Sequence, residues 1–158
     1  MAGRNESGTS GWTREAMYEL GMRHATLEGE GDLAGTMETL IAEPIYEFWP
    51  IGRRMVGTAA VERYYEHLIG TFMPLQIGYE MIGETLSSLA LSQEYIMEFP
   101  SDGGGSEKFR VMGILYGDPE TPGKMGGERI WGDERILRQM VGPIWDELER
   151  IDTQRKST

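Results

Sequence analysis

The sequence has no cysteine and only two histidines among its 158 residues. The lack of cysteine excludes disulfide bonds, thiol nucleophiles, iron–sulfur clusters and zinc sites built on thiolates. Two histidines cannot form a three-histidine metal centre. We therefore expect neither a metal nor a cofactor, and any chemistry must come from carboxyl, hydroxyl and imidazole groups.

Positive charge is also scarce, because 15 Lys and Arg residues face 26 Asp and Glu residues, for a net charge of −11. Nucleic acids and anionic membranes are therefore disfavoured as partners, since affinity for both comes from Lys and Arg. No apolar run approaches the ~20 residues that span a bilayer, and the first residues lack the apolar core of a secretion signal. These observations predict a cytoplasmic protein.

The remaining composition is typical of one globular domain. Residues 1–11 are rich in Gly, Ser and Asn, and residues 152–158 are polar throughout, so both segments are predicted to be tails. The intervening segment, 12–151, contains no internal repeat and no linker. Its length exceeds the size at which a chain needs disulfides or metals to form a stable core.

Helical patterns occupy the first half of this domain. Thr13 can cap a helix that ends near Gly29 and carries an apolar stripe at helical spacing, formed by Met17, Leu20, His24 and Leu27. Asp32 can cap a second helix that includes Leu40 and Ile41. Thr58 can cap a third helix whose apolar face extends to Phe72.

Strand patterns dominate the second half. A first strand is predicted at 45–49, followed by a turn with a short strand at 52–57. Period-two alternation and turn residues then predict strands near 77–87, 89–99, 107–117 and 126–133. Short loops favour antiparallel pairing, and the separation of helices from strands predicts an α+β fold. A last short helix is predicted to begin at Pro143.

Two motifs resemble a known superfamily. The first motif is the segment 56–65, Val-Gly-Thr-Ala-Ala-Val-Glu-Arg-Tyr-Tyr. The second is the segment 127–133, Gly-Glu-Arg-Ile-Trp-Gly-Asp, followed by 137–140, and it looks like the last-strand signature. Both resemble SnoaL-like, or nuclear transport factor 2-like, proteins. The resemblance implies a cone-shaped, curved antiparallel sheet wrapped around N-terminal helices, a deep apolar pocket, and a homodimer. It does not specify the reaction, because one fold hosts many chemistries.

Comparison with two enzymes of this superfamily gives a mixed picture of the pocket. Phe48 falls where ketosteroid isomerase has its general base, and Gly113 lies in the region of its oxyanion-stabilising Asp, whereas His24 falls near its catalytic Tyr. Tyr46 matches the water-positioning Tyr of limonene-epoxide hydrolase. The resemblance therefore does not support steroid isomerisation by the known residues.

Glu128 and Glu94 are the leading catalytic candidates, because they fall on the strands that carry the hydrolase's Asp–Arg–Asp triad. A carboxyl group in an apolar pocket has a raised pKa, which suits it to proton transfer near neutral pH. If both face inward, they form an acid/base couple. Alternatively, Glu128 pairs with Arg129 or Arg110 in solvent, and Glu94 is a solvated strand residue.

His24 and Tyr46 are the other catalytic candidates, as groups that polarise a substrate oxygen. Each has a structural alternative as a buried residue whose polar atoms are hydrogen-bonded. The remaining candidates are expected to contact ligand as part of the pocket wall: Met22, Phe48, Trp49, Tyr65, Phe109, Val111 and Gly113.

The sequence thus predicts a protein that binds a small, largely apolar, oxygen-bearing molecule, such as a polyketide, steroid-like or terpenoid compound. Cofactor-independent acid/base catalysis, as in an isomerase, cyclase or epoxide hydrolase, is the leading hypothesis. The alternatives are a noncatalytic ligand-binding or dimerisation module, and a regulatory domain whose cavity is filled by its own side chains.

Overall fold

Seven strands and four α-helices make up residues 11–152, the part of the chain that the computed structural model describes. The predicted tails lie outside these residues, apart from Gly11 and Asp152. The helices are α1 (Arg14–Gly29), α2 (Leu33–Glu38), α3 (Thr58–His67) and α4 (Glu134–Val141). The strands are β1 (Leu40–Trp49), β2 (Arg53–Val56), β3 (Gly78–Leu86), β4 (Ala90–Pro100), β5 (Ser106–Gly117), β6 (Met125–Trp131) and β7 (Glu149–Arg150). None of the described helices is long and apolar enough to cross a membrane.

The first two helices begin at the predicted caps. The Thr13 side chain accepts a hydrogen bond of 3.1 Å from the backbone of Ala16, and the Asp32 side chain accepts one of 2.9 Å from Gly35. The second helix is shorter than predicted. It ends at Glu38, and Leu40 already begins β1, so the prediction that Leu40 and Ile41 are helical is wrong.

The third helix differs from its prediction at both ends. Gly57, with a positive φ of 95°, is the N-cap, while the Thr58 hydroxyl donates a 2.6 Å hydrogen bond to the carbonyl of Ala42 in β1. The regular helix stops at His67, and the chain continues as a π-turn over Leu68–Phe72 and a 3₁₀-turn over Met73–Leu75. A π-turn is wider and a 3₁₀-turn tighter than an α-helical turn. In this segment Phe72 packs against Phe99 of β4, with ring centroids 4.9 Å apart.

The strands form one mixed sheet in the order β3-β4-β5-β6-β1-β2-β7. The four long predicted strands are confirmed, and they pair as successive antiparallel neighbours. The expectation of an entirely antiparallel sheet is wrong, because β1 and β6 run parallel, with Tyr46 opposite Glu128. This pairing joins the two ends of the domain and places the helical half against the long strands.

The fourth helix was not predicted. The run 137–140, which follows the last-strand motif in the resemblance, lies in α4. Buried residues recur along this helix at helical spacing, and the Asp133 side chain caps it by accepting a 2.8 Å hydrogen bond from Arg135. The predicted helix at Pro143 is a 3₁₀-helix over Gly142–Glu147.

The curved sheet has two unlike faces. Its inner face packs against α1 and α3, and an aromatic cluster of Tyr46, Phe48, Tyr64 and Tyr65 fills the space between β1 and α3. Its outer face carries Trp49 stacked on Trp131, with ring centroids 5.6 Å apart. Because side chains alternate along a strand, each residue's parity decides whether it reaches the core or the outer face.

Candidate active site

A cavity of about 500 Å³ lies between α1, the turns at 68–75 and the inner face of β3 to β6. Its wall is mostly apolar, and five of its residues are methionines: Met22, Met73, Met81, Met97 and Met140. Thioether side chains are flexible and polarisable, so they adapt to ligands of irregular shape. The polar groups that line it include the carboxyl groups of Glu28 and Glu128.

Glu128 projects from β6 into the cavity, and only 8% of the residue is exposed. The strand parity predicted this orientation. The alternative of a solvated ion pair is wrong, because Arg129 lies near Glu47 and Arg110 pairs with Glu94. Burial in the apolar cavity raises the pKa of Glu128 to about 8, and the nearby Glu28 carboxyl contributes further.

Gly113 makes room for the Glu128 carboxyl. A β-carbon at position 113 would lie 2.7 Å from Glu128 Oε1, which is closer than van der Waals contact allows. The same point lies 3.7 Å from the Tyr95 hydroxyl, so Tyr95 also borders this part of the site. Gly113 thus shapes the site because it has no side chain.

Glu28 is the second carboxyl of the site, and it was missed in the sequence. It lies near the end of α1, with its side chain 26% exposed, and it lines the cavity. Burial raises its pKa to about 7. The helical period contained the signal: His24 was placed on the inner face, and a residue four positions later shares that face.

His24 lines the same cavity, and both of its ring nitrogens are hydrogen-bonded. Its Nδ1 lies 2.6 Å from Thr39 Oγ1 and its Nε2 lies 2.8 Å from the Tyr65 hydroxyl. The Glu28 carboxyl is 3.7 Å from Nε2. Burial lowers the pKa of His24 to about 4, so the ring is neutral near neutral pH.

Tyr46 and Tyr65 extend this arrangement behind the cavity wall. Their hydroxyl groups are 2.7 Å apart, and both side chains are fully buried. Neither lines the cavity. Tyr46 therefore reaches the site only through Tyr65, and Tyr65 reaches it through His24 and Glu28.

Glu94 does not join Glu128, so the expected couple of these two residues is not formed. Its side chain is 36% exposed, lies outside the cavity and pairs with Arg110 at 2.8 Å. Gln93 and Tyr95, its neighbours in β4, line the cavity, which leaves Glu94 on the outer face. The sequence left this parity open because apolar residues occupy both faces nearby.

The predicted pocket wall is only partly in place. Met22 lines the cavity, and Gly113 shapes it. Phe48, Phe109 and Val111 are buried in the core but do not line the cavity. Trp49 lies on the outer face against Trp131. Core packing accounts for the three buried positions, because period-two alternation identifies the inner face of a strand but not the part of it that a cavity leaves open.

Within residues 11–152, no group of three or more His, Asp or Glu side chains is arranged to hold a metal ion. The site therefore offers two carboxyls with raised pKa values, a neutral imidazole and a set of buried tyrosine hydroxyls. This set can take up and release one proton near neutral pH.

No protein-family model and no curated protein matches this sequence. Solved structures do match. An NTF2-like protein of unknown function from Cytophaga hutchinsonii superposes with a TM-score of 0.61 at 9% identity, over 74% of this chain and 99% of that one. The chain has the NTF2-like fold.

Other proteins with this fold resemble the chain to a similar degree. SalBIII, described as an epoxide hydrolase/cyclase-like enzyme in pyran ring formation in the polyether salinomycin, gives a TM-score of 0.60 at 16% identity, over 77% of this chain and 93% of its own. PrhC from Penicillium brasilianum gives 0.58 at 10% identity, over 85% and 91%. At these identities the likeness is one of fold.

Proposed function

We propose that this NTF2-like protein is a cofactor-independent acid/base enzyme acting on a small, largely apolar, oxygen-bearing molecule of polyketide, steroid-like or terpenoid type. The observation that carries the proposal is the pair of carboxyl groups, Glu28 and Glu128, in a methionine-rich cavity. General acid/base catalysis is most efficient when the pKa of the catalytic group lies near the working pH.

The cavity suits such a substrate in size and polarity. A volume of about 500 Å³ lies within the usual range of roughly 300–1,000 Å³ for small-molecule sites. An apolar skeleton can contact the methionines, while an oxygen function meets the carboxyls. Desolvation by the bound skeleton strengthens each hydrogen bond to that oxygen.

The pair can catalyse the opening of an epoxide in one step. One carboxylate removes the proton from an attacking hydroxyl group, the new carbon–oxygen bond forms, and the epoxide carbon–oxygen bond breaks. The other carboxyl group, in its acid form, protonates the departing oxygen. Attack by water gives a diol, whereas attack by a hydroxyl of the substrate gives a cyclic ether; we extend the reaction type of SalBIII to this chain on that basis.

Isomerisation of an enolisable ketone uses the same two proton transfers. His24 and Tyr46 support either reaction as positioning residues, because their hydrogen-bonding atoms contact Thr39 and Tyr65. This differs from the role predicted from the sequence, in which they polarise the substrate oxygen themselves.

The proposal is tested with a panel of apolar epoxides, hydroxy-epoxides and β,γ-unsaturated ketones, incubated in ¹⁸O-labelled water and analysed by mass spectrometry. Glu128→Gln and Glu28→Gln are each expected to lower turnover by about 10²-fold or more. Glu94→Gln is the matched control, because its carboxyl lies outside the cavity. Undiminished turnover in Glu128→Gln would contradict the proposal.

A noncatalytic binding protein is the second candidate. Phe48, at the position of the ketosteroid isomerase base, is packed against Tyr64 and makes no polar contact. Native mass spectrometry of the purified protein separates the two candidates. A retained ligand that is recovered chemically unchanged, with no turnover across the panel, favours the binding protein.

We also propose that a second copy of the chain covers the outer face of the sheet. Trp131 and Met112 are 43% and 38% exposed there, and the patch is bordered by the Glu94–Arg110 ion pair. A patch with both charge signs can meet its own copy without net repulsion. Sedimentation should show a dimer at micromolar concentration that Trp131→Glu dissociates; a monomeric wild type would contradict this proposal.

A further inference from the structure

The hydrogen bonds behind the cavity form one chain from α2 to β1. It runs from the Thr36 carbonyl through Thr39, His24 and Tyr65 to Tyr46, and each contact in it measures 2.6–2.8 Å. Each hydroxyl can donate one proton, and a neutral imidazole can donate one and accept one. The direction of every bond in the chain can therefore be found by counting protons.

The count begins at Thr39. A backbone carbonyl only accepts, so the Thr39 hydroxyl uses its proton on the carbonyl of Thr36. Thr39 Oγ1 must then accept from His24, which places the imidazole proton on Nδ1. The neutral ring has no second proton, so its Nε2 accepts from the hydroxyl of Tyr65.

The count then reaches Glu28. Because the Tyr65 proton is committed to His24, Tyr46 must donate to Tyr65. A Tyr65 hydroxyl that donated to the nearby Glu28 would lower the pKa of that carboxyl, but the proton count turns this hydroxyl toward His24. Only a lone pair of the Tyr65 oxygen is then left for Glu28. Glu28 also lies 3.7 Å from His24 Nε2, which is an acceptor as well. This side of Glu28 therefore offers acceptors and favours a protonated carboxyl.

Glu128 has a different surrounding. Its carboxyl lines the cavity and occupies the space beside Gly113, and it forms no hydrogen bond with another described residue. The charge of an ionised Glu128 can therefore be met by a polar hydrogen of a bound substrate. The two carboxyls are thus distinguished by what surrounds them.

We infer that Thr39 is a positioning residue that fixes the direction of this chain, so that the Tyr65 hydroxyl is turned away from Glu28 and the Glu28 carboxyl keeps its proton close to neutral pH. The inference deepens the proposed acid/base function and rests on it. A hydroxyl that donates to a carboxylate lowers the carboxylate pKa, whereas one that can only accept favours the protonated form. The direction of the Tyr65 hydroxyl is thus the deciding feature.

The groups that face the two carboxyls keep one charge state across the neutral range. They are His24 on α1, Tyr46 on β1, Tyr64 and Tyr65 on α3, Tyr79 on β3 and Tyr95 on β4. Burial raises the pKa of each of these tyrosines and lowers that of His24, so all six are neutral. Tyr116, whose pKa is raised to about 12, also interacts with Glu128, and Glu84, near Tyr79, accepts a hydrogen bond from Gln93.

The test needs no substrate. In uniformly ¹³C,¹⁵N-labelled wild type at pH 7, NMR is expected to show His24 protonated at Nδ1 and unprotonated at Nε2. Site-assigned carboxyl shifts are expected to show Glu28 titrating near pH 7, well above its ordinary value of 4.5. A His24 protonated at Nε2, or a Glu28 that titrates near pH 4.5, would overturn the inference.

Two substitutions at the buried Thr39 sharpen the test. Thr39→Val preserves shape but removes the acceptor for Nδ1–H, so the ring is expected to take the Nε2–H form and Tyr65 to turn toward Glu28. The Glu28 titration should then shift down by about one pH unit. Thr39→Ser keeps the hydroxyl and should keep the wild-type tautomer and titration. An unchanged tautomer in a folded Thr39→Val protein would count against the inference.

The readouts separate this inference from the proposed function. A wrong tautomer with activity that is still lost in Glu128→Gln refutes only the positioning role of Thr39. The predicted tautomer with full activity in Glu128→Gln refutes the function and leaves the hydrogen-bond direction standing.

Discussion

Glu128 and Glu94 are the same residue type in the same sheet, yet they lie in opposite environments. Glu94 lies on the outer face, in solvent and beside Arg110. Glu128 lies on the inner face, 8% exposed, with the carboxyl of Glu28 nearby and, among the described residues, no cation beside it. The comparison shows that strand parity, more than residue identity, decides whether a carboxyl group in this sheet is a surface charge or a buried group with a raised pKa.

The inner position has an energetic cost that the outer one does not. Burying a carboxyl without a cation disfavours its charged form, and each unit of raised pKa corresponds to about 1.4 kcal/mol. An exposed ion pair such as Glu94–Arg110 contributes about 0–1 kcal/mol. A sequence selected for stability alone would not place two carboxyls in the cavity, which supports a functional role for them.

The largest expected effect on stability is its pH dependence. The raised pKa values of Glu28 and Glu128 mean that the folded protein binds more protons than the unfolded chain between about pH 4.5 and 8. The free energy of unfolding should therefore fall as pH rises through this window. His24, whose lowered pKa is about 4, acts in the opposite direction below about pH 6.5. The effect of the two carboxyl groups on stability is therefore best separated from that of His24 between about pH 6.5 and 9.

Glu128→Gln should remove much of this loss of stability at high pH. The variant's free energy of unfolding minus that of the wild type, both measured by urea denaturation, is expected to be larger at pH 9 than at pH 6 by at least ~1 kcal/mol. Glu94→Gln removes an exposed ion pair instead, so its effect should stay within about 1 kcal/mol. If the free energy of unfolding depended on pH equally in Glu128→Gln and in the wild type, the difference inferred between the two faces would be contradicted.

A smaller effect is expected from a pair of glycines. A methyl group at Gly113 would lie 2.7 Å from Glu128 Oε1, whereas one at the exposed Gly83 has no atom within 4 Å. The carboxyl can move aside, so Gly113→Ala should cost about 1 kcal/mol or less while shifting the Glu128 titration. Gly83→Ala should be neutral or gain up to ~1 kcal/mol. A Glu128 titration unaffected by Gly113→Ala would mean that the carboxyl lies elsewhere.

The fold was predictable where the signals are local. Alternation and turn residues located the four long strands, and polar caps located α1 and α2. The parallel pairing of β1 with β6 was not predictable, because it joins strands that are far apart in the chain and leaves no local pattern. Helix α4 was not predicted, although its buried residues Ile136, Leu137, Met140 and Val141 recur at helical spacing.

The site was predictable only in part. Glu128 and His24 were located because each lies on a clear apolar parity or stripe. Glu94 could not be placed, since Tyr95, Ile96 and Met97 offer apolar side chains to both faces of β4. Glu28 was missed because a charged residue near a helix end is usually solvated, and its inward position depends on a cavity that the local sequence does not reveal.

The central claim is that the cavity holds a carboxyl group that exchanges its proton near neutral pH. The most direct measurement is the titration of the assigned Glu128 side-chain carboxyl by ¹³C NMR in the wild type. Our account predicts a midpoint well above the ordinary value of 4.5, in the range of about 7 to 8 set by the coupled pair. A midpoint near 4.5 would contradict it.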